Sequence, residues 1–254
     1  MSSVQERPVA ARIHEDVRAA DEALSITSLH AGHGESHILH DVNLTVKRGE
    51  VVTLLGRNGA GRTTTLRAIM GLVGTRRGSI RIDGEETVSL PTYRIARRGV
   101  GYCPEERGIF SSLTTEENLL LPPVVSTKHG SMSLDEIYAM FPNLAERRHS
   151  QGTRLSGGEQ QMLAVARILR TGARLLLLDE ISEGLAPVIV QALARMITVL
   201  KARGYTIVMV EQNFRFAAPL ADRFYVMEHG QIVESFAAAE LESKAETLNE
   251  LLSI

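Results

Sequence analysis

Residues 56–64 read GRNGAGRTT, a glycine-rich stretch whose residue types suit the binding of phosphate. Glycine lets the backbone bend tightly around an anion, so several N–H groups turn inward while the helix that follows adds its positive end. The candidate phosphate- and nucleotide-binding residues of this stretch are Gly56, Asn58, Gly59, Ala60, Gly61, Arg62, Thr63 and Thr64. The Thr63 hydroxyl is also placed to ligate Mg²⁺. Because glycines at this spacing also arise by chance, the prediction depends on motifs further along the chain.

Arg62 occupies the position where such loops carry lysine. Arginine keeps the positive charge, but its planar fork is longer and bulkier than a compact ammonium. We therefore expect phosphate binding to survive this replacement better than turnover. Lysine accounts for only four of the 28 basic residues, so a general arginine bias is a second explanation of Arg62.

Two carboxylates, Asp179 and Glu180, directly follow the apolar run at residues 175–178. Such a run predicts a buried parallel strand, and open α/β folds bind ligands at the carboxyl ends of these strands. Beside a phosphate loop, Asp179 would hold Mg²⁺ through its shell and Glu180 would orient and polarise the attacking water. Solvated acids that merely end a strand are the alternative interpretation.

A second helix start able to bind an anion is predicted at Ser156, Gly157 and Gly158, before the helical pattern at residues 162–169. A plain helix cap is the alternative. We call the helix start at Ser156, Gly157 and Gly158 the second cradle. Because the sequence has only one complete phosphate loop, the second cradle is expected to serve the nucleotide of a neighbouring subunit.

The elements that must position these groups follow an α/β pattern interrupted by a helical insert. Alternating apolar residues predict antiparallel strands at 24–29 and 42–47, and an apolar run predicts a buried strand at 51–55 directly before the phosphate loop. Apolar spacing predicts a helix after that loop, with Leu66, Ile69, Met70 and Leu72 on one face. Further predictions are capping boxes at Thr114 and Ser133, strands at 175–179, 205–211 and 224–227, and helices near Pro187 and Phe214.

Composition narrows the class of protein. The chain has 254 residues, of which 44% are hydrophobic, which is enough for one large domain or a domain with a subdomain. A formal net charge of -2 gives no positive field to hold a polyanion, so we expect no nucleic acid partner. The single cysteine and the absence of a secretory or membrane-spanning stretch fit a reducing cytosol, with any membrane role acting through a partner.

The chain resembles the ATP-binding subunits of ABC transporters over residues 24–241. The motif LSGGEQQ at residues 155–161 is the signature of that family and is highly specific. In finer detail, ERGIF at residues 106–110 and VEQN at residues 210–213 resemble the branch that imports branched-chain amino acids. The resemblance implies the fold of a P-loop NTPase, with a RecA-like α/β core around a parallel sheet, an antiparallel β-subdomain and a helical signature subdomain.

The implied domain boundaries are a loosely ordered N-terminal tail at residues 1–23, the ATPase domain at 24–241 and a C-terminal helix at 242–254. The helical subdomain is expected at about 112–172.

The resemblance also implies a function. The subunit would bind ATP and Mg²⁺ and hydrolyse ATP to energise an importer of branched-chain amino acids, or of related amino acids and amides. The implied partners are transmembrane permeases, a second ATP-binding subunit in a homo- or heterodimer, and indirectly a periplasmic substrate-binding protein. Two ATP molecules would lie between the phosphate loop of one subunit and the signature of the other. The expected location is the cytoplasmic face of the inner membrane, held there by the permeases.

Several site residues follow only from this resemblance. His33 falls where the family has an aromatic residue that stacks on adenine, although an exposed loop histidine is the alternative. Glu105 falls where many relatives have a glutamine that links the nucleotide to the permease contact. Gln212 falls where many have a catalytic histidine that touches the γ-phosphate, and it can still donate a hydrogen bond. Both replacements are typical of the amino acid importer branch.

The signature would bind the nucleotide of the partner subunit through Ser156, Gly157, Gly158 and Glu159. Ile181 replaces the proline that usually follows the catalytic glutamate, which would loosen the turn that aims Glu180.

Two other functions stay open at this point. One is a slow or degenerate nucleotide-binding subunit within an asymmetric pair. The other is a soluble ABC ATPase outside transport, although such proteins usually need a second cassette or a long coiled-coil insert, and this sequence has neither. The transported substrate cannot be read from the sequence, because selectivity in such systems lies in other chains.

Overall fold

Two β-sheets organise the chain in the computed structural model, which describes residues 21–34, 36–125 and 130–252. The strands are β1 (Glu22–His33), β2 (Ser36–Lys47), β3 (Val51–Gly56), β4 (Thr75–Ile82), β5 (Glu85–Glu86), β6 (Val100–Cys103), β7 (Leu175–Asp179), β8 (Thr206–Val210), β9 (Arg223–Glu228) and β10 (Gln231–Ala237). One sheet has the order β2-β1-β4-β5, and the other has the order β10-β9-β3-β8-β7-β6.

The first sheet is antiparallel and buries one face. Leu24 pairs with Val46 on β2 and with Ile82 on β4, and all three side chains are buried. Alternating apolar residues on three strands thus share one side of the sheet. This confirms the antiparallel strands predicted at residues 24–29 and 42–47, and both strands extend beyond the predicted bounds.

The second sheet has five parallel strands, from β9 through β3, β8 and β7 to β6, with β10 antiparallel at the β9 edge. Its central strands β7 and β8 are buried along their whole length, as their apolar sequences predict. Leu54 pairs with Val210, and Val210 pairs with Asp179, so β3, β8 and β7 end side by side. The groups that follow these three strands therefore meet at one edge of the sheet.

The helices of the described residues are α1 (Arg62–Ile69), α2 (Thr92–Ala96), α3 (Thr115–Leu120), α4 (Leu134–Met140), α5 (Pro142–Glu146), α6 (Gly157–Arg170), α7 (Pro187–Ala202), α8 (Phe214–Ala217) and α9 (Ala245–Leu252). Reciprocal capping boxes open α3, α4 and α6. In each box the Ser or Thr oxygen and the Glu carboxylate satisfy backbone N–H groups that the helix leaves unpaired. The two boxes predicted at Thr114 and Ser133 are confirmed.

Helix α1 ends earlier than its apolar spacing predicts. Gly71 has φ +73°, and its N–H and that of Leu72 donate to the carbonyls of Ala68 and Arg67, a geometry that closes a helix at glycine. Leu72 therefore lies beyond the helix, and 46% of its side chain is exposed. The expectation that the helical spacing extends to Leu72 was wrong, because the turn at Gly71 carries Leu72 out of the helical repeat.

Helix α9 packs against the strand that carries the phosphate loop. Leu248 is buried in a cluster with Leu55 of β3 and the aromatic residues of β9 and β10. At the other end of α9, Arg57 donates from Nε to the Leu251 carbonyl and from Nη2 to the Glu250 carbonyl, both at 3.1 Å. A guanidinium suits the negative end of a helix dipole. The end of this helix is thus tied directly to the loop.

The predicted tail falls mostly outside the described residues, which begin at residue 21. Strand β1 begins at Glu22, within the span expected for the tail. No helix among the residues described is both long and apolar enough to cross a bilayer.

Candidate functional site

The glycine-rich stretch forms a tight loop between β3 and α1, at the carboxyl edge of the parallel sheet. A Cβ at Gly56 would lie 2.5 Å from the carbonyl oxygen of Met227, and one at Gly61 would lie 2.9 Å from Leu39 Cδ2. Gly61 also has φ +105°, which L side chains rarely adopt. These two positions therefore require glycine, as a loop wrapped closely around an anion does.

A cavity of about 510 Å³ opens over this loop. Its lining contains the predicted residues Asn58, Gly59, Ala60, Gly61, Arg62, Thr63, Thr64, Glu105, Glu180 and Gln212, together with Ile38 and Glu183. The volume falls within the range of small-molecule and cofactor sites. The structure thus brings together candidates that lie more than 150 residues apart in the sequence.

Other predicted residues lie outside this lining. Gly56 lies at the base of the loop, and Asp179 lies behind Thr63 at the end of β7. His33 ends β1, and its side chain is outside the described part of the chain, so its contact with adenine stays a prediction.

Arg62 spans the floor of the cavity. Only 5% of its side chain is exposed, and its Nη2 lies 3.0 Å from Glu180 Oε1 and 3.3 Å from Asn58 Oδ1. Its Nη1 donates to the carbonyl of Glu211 at 3.1 Å. Burial lowers the pKa of the guanidinium, while Glu180 and Asp179 oppose that shift. Because arginine stays charged in proteins, the site contains a buried ion pair between Arg62 and Glu180.

The oxygens of Thr63 and Asp179 are adjacent. Thr63 Oγ1 donates to Asp179 Oδ1 at 2.9 Å, and the Tyr102 hydroxyl donates to Asp179 Oδ2 at 3.0 Å. Burial raises the pKa of Asp179, and these two hydrogen bonds act in the opposite direction. Within the described residues, no three His, Cys, Asp or Glu side chains form a cluster suited to a metal ion. The pair therefore fits Mg²⁺ that arrives with phosphate and water ligands, rather than a site built wholly from protein.

Glu180 is held from three sides at the cavity wall. Its Oε1 meets Arg62, and its Oε2 accepts a hydrogen bond from Gln212 Nε2 at 2.8 Å. A hydrogen bond with Glu180, together with burial, raises the pKa of Glu183. The backbone of Glu180 has φ +49°, in the left-handed region. A side chain held in a strained turn at a cavity wall is typical of a functional residue.

Glu211 and Ser182 are residues of this site that the sequence reasoning missed. Glu211 Oε2 accepts from Ser182 Oγ at 2.7 Å, and Oε1 accepts from the Ser182 N–H at 3.2 Å. Burial raises the pKa of Glu211 to about 7. A signal was present, because Glu211 directly follows the apolar strand β8, just as Glu180 follows β7.

The predicted second cradle lies at the start of α6, outside the lining of the nucleotide cavity. Ser156 caps this helix, accepting from the Glu159 N–H at 3.3 Å, while Glu159 Oε2 accepts from the Ser156 N–H at 2.7 Å. Gly158 is buried, and a Cβ at this position would lie 2.6 Å from Ile189 Cγ1. Gly157, next to it, is only half-buried. The plain cap is therefore present, and no residue of this cradle lines the cavity over its own chain's loop.

Two cavities of similar size lie elsewhere. One of about 580 Å³ separates α4 and α5 from α7 and is lined largely by apolar residues such as Met140, Val188 and Ile189. The other, of about 540 Å³, lies beside Cys103, Arg167 and Leu72. Neither of these cavities is lined by the glycine-rich loop, so cavity volume alone does not locate the nucleotide site. The site is located by the loop together with the acidic residues at the ends of the neighbouring strands.

A glycine-rich loop at the carboxyl edge of a parallel sheet, facing strand-end carboxylates, defines a P-loop nucleotide-binding protein. The family model described as ABC transporter matches residues 39–183. The chain belongs to this family, as an ATP-binding subunit.

Relatives support the same assignment. The chain is 44% identical to the high-affinity branched-chain amino acid transport ATP-binding protein BraG of Pseudomonas aeruginosa, over 86% of this chain and 94% of that protein. It is 36% identical to the lipopolysaccharide export system ATP-binding protein LptB of Haemophilus influenzae, over 83% and 88%. It is 34% identical to a probable branched-chain amino acid transport ATP-binding protein, LivF, of Archaeoglobus fulgidus, over 86% and 93%.

Solved structures agree with the fold. An ATP-binding subunit of an ABC transporter superposes with a TM-score of 0.76 at 28% identity, over 91% of this chain and 98% of that one. A nucleotide-free ATP-binding cassette superposes with a TM-score of 0.79 over 92% and 99%, and at 21% identity it bears on the fold alone. The predicted α/β fold of a P-loop NTPase is confirmed.

Proposed function

We propose that this chain is the ATP-hydrolysing subunit of an ABC importer for branched-chain amino acids or related amino acids and amides. The observation that carries the proposal is the single cavity in which the phosphate loop, Glu180 and Gln212 meet. The similarity to BraG and LivF supports an amino acid substrate. LptB, a lipopolysaccharide export protein, is less similar than BraG, at 36% against 44% identity, which favours amino acid transport over lipopolysaccharide export.

In the proposed reaction, the residues in and beside the cavity have different roles. The loop N–H groups and Arg62 would bind the phosphates of ATP. Thr63 and Asp179 would hold Mg²⁺, which when bound neutralises charge on the phosphate oxygens. Glu180 would orient and polarise the attacking water, and Gln212 would hold Glu180 and donate to the terminal phosphate.

The Arg62–Glu180 ion pair supports a second candidate, a slow subunit in an asymmetric pair. While Arg62 holds Glu180 Oε1 at 3.0 Å, one oxygen of the proposed base is occupied. A terminal phosphate would compete for Arg62 and release Glu180, because the guanidinium fork also matches phosphate geometry. Turnover in this chain would then include the breaking of that pair.

Partners are proposed on two surfaces. The cradle at the start of α6, from Ser156 to Glu159, would complete the nucleotide site of a second ATP-binding subunit. Separately from this cradle, His33 would stack on adenine, and Glu105 would link the nucleotide to the permease. A permease loop would dock near residues 108–125, where Phe110, Leu120 and Leu121 are exposed. Such an assembly would lie at the cytoplasmic face of the inner membrane and receive substrate from a periplasmic binding protein.

A Glu180→Gln variant tests the proposal. Purified with co-expressed permease partners, the variant is expected to bind Mg-ATP with affinity close to that of the unaltered protein, because the loop is intact, and to release no phosphate. Near-normal phosphate release would refute the role of Glu180. Stimulation of the unaltered complex by a binding protein loaded with leucine, urea or a short amide would identify the substrate class, and hydrolysis without any permease partner would favour the soluble alternative.

A further inference from the structure

Glu211 is a buried carboxylate to which the proposed chemistry gives no role. It follows β8, directly before Gln212, and only 2% of it is exposed. Both of its oxygens contact a single residue, since Oε2 accepts from the Ser182 hydroxyl and Oε1 from the Ser182 N–H. By accepting these two hydrogen bonds, one carboxyl group fixes both the backbone and the side chain of Ser182.

Ser182 lies in the turn that carries Glu180. The chain leaves β7 at Asp179, and Glu180 adopts φ +49°, a left-handed conformation that non-glycine residues rarely adopt. Such a conformation persists only where surrounding contacts hold it. Two sets of contacts hold this turn: the Glu180 N–H donates to the Val210 carbonyl at 2.8 Å, and Ser182 donates two hydrogen bonds to the Glu211 carboxyl group.

Position 181 explains why the turn needs such a contact. Ile181 stands where a proline would restrict the backbone, and its side chain is buried in the hydrophobic core. Isoleucine leaves φ free, whereas proline fixes it. The carboxylate of Glu211 restrains the turn one residue later.

Glu211 also connects the other parts of the site. Its carbonyl accepts from Arg62 Nη1 at 3.1 Å, and the next residue, Gln212, donates to Glu180 Oε2. A displacement of Glu211 would therefore alter the phosphate loop contact, the turn and the amide that holds Glu180.

We propose that Glu211 is a positioning residue for ATP hydrolysis, which clamps Ser182 and so fixes the turn that aims Glu180 at the attacking water. This inference rests on the proposed function and adds a residue to it. Glu211 and Ser182 act through Glu180, and neither lines the cavity over the loop.

Three variants in the complex with its permeases test the inference: Ser182→Ala, Glu211→Ala and Glu211→Gln. Ser182→Ala removes one of the two hydrogen bonds that fix the turn, so kcat is expected to fall about tenfold while KM for ATP and the affinity for a fluorescent ATP analogue stay within about twofold. Glu211→Ala is expected to lower kcat further. Glu211→Gln is expected to keep kcat within about threefold, because its carboxamide can accept from the Ser182 N–H and donate to the hydroxyl.

The matched control is Glu50→Ala. Glu50 is a partly buried carboxylate that, like Glu211, accepts two hydrogen bonds from one residue, here Arg223 at 2.9 and 2.7 Å, but it lies at the opposite end of the sheet. Its loss is expected to lower the melting temperature and leave kcat per folded molecule unchanged.

Two results would overturn the inference. One is a kcat within twofold of the unaltered complex for both Ser182→Ala and Glu211→Ala. The other is a fall in kcat that, as for Glu50→Ala, only follows the loss of folded protein. If the unaltered complex hydrolyses no ATP, the proposed function itself fails. If the unaltered complex hydrolyses ATP and one of these two results is found, only the inference about Glu211 fails.

Discussion

Replacing Arg62 with lysine tests whether the arginine slows hydrolysis. Arg62 reaches Asn58, Glu180 and the Glu211 carbonyl at once through its two terminal nitrogens. A lysine keeps the charge, but its single ammonium cannot reproduce this fork. A hydrogen bond to a charged group contributes about 1.5–3 kcal/mol. If the bond to Glu180 must break in each cycle, its removal is expected to raise kcat by about ten- to a hundredfold.

The assay is phosphate release by the complex at saturating Mg-ATP, with KM for ATP measured alongside. Arg48→Lys is the matched control, because Arg48 also pairs with a carboxylate, Asp83, at 2.5 Å, but both side chains are half exposed and lie in turns that follow β2 and β4. That change is expected to leave kcat and KM unaltered, as exposed ion pairs contribute little.

An unchanged or lower kcat in Arg62→Lys would refute this reasoning. It would mean that the site is adapted to arginine, and that Arg62 leaves Glu180 without slowing the cycle.

Three further predictions concern the loop, the metal and the buried carboxyl. Gly61→Ala is expected to abolish ATP binding and lower the melting temperature, because the new methyl would meet Leu39 in a backbone conformation that alanine avoids; unaltered nucleotide affinity would contradict this. Thr63→Ala is expected to raise the Mg²⁺ concentration needed for half-maximal hydrolysis at least severalfold, as measured by Mg²⁺ titration at fixed ATP; an unshifted titration would exclude Thr63 as a ligand. Burial raises the pKa of Glu211 from 4.5 to about 7, so the protonated form is favoured in the folded protein. The protonated Glu211 side chain therefore stabilises the fold fully below about pH 4.5, and this contribution is lost as pH rises to about 7, by at most roughly 3 kcal/mol. Urea unfolding of the unaltered protein and of Glu211→Gln at pH 5 and 8 would measure the change, and a stability difference that does not vary with pH would contradict the prediction.

Much of the fold follows from local patterns. Largely apolar runs predicted the buried strands β3, β7 and β8, and the parallel order of these strands places the residues that follow them at one edge of the sheet. Strand β6 was missed because it has only four residues, including Gly101, too few for a period to show. Strand β10 was missed because most of its residues are exposed, so its place depends on pairing with β9.

In the candidate site, too, the sequence predicted some features, whereas others depend on tertiary contacts. Residue type and spacing predicted which groups could bind phosphate and Mg²⁺, and the structure places most of them around one cavity. Spacing could not show that Arg62 pairs with Glu180, 118 residues away, or that Glu211 clamps Ser182, because such contacts arise only when neighbouring strands align. Tertiary register, rather than any local motif, decides these partners.

The contact between Arg57 and the last carbonyls of α9 links events at the nucleotide to the C-terminal helix. Any rearrangement of the loop must either carry the end of that helix along or break two hydrogen bonds. Amide exchange in the final turn of α9 would thus report on loop occupancy without a probe near the phosphates.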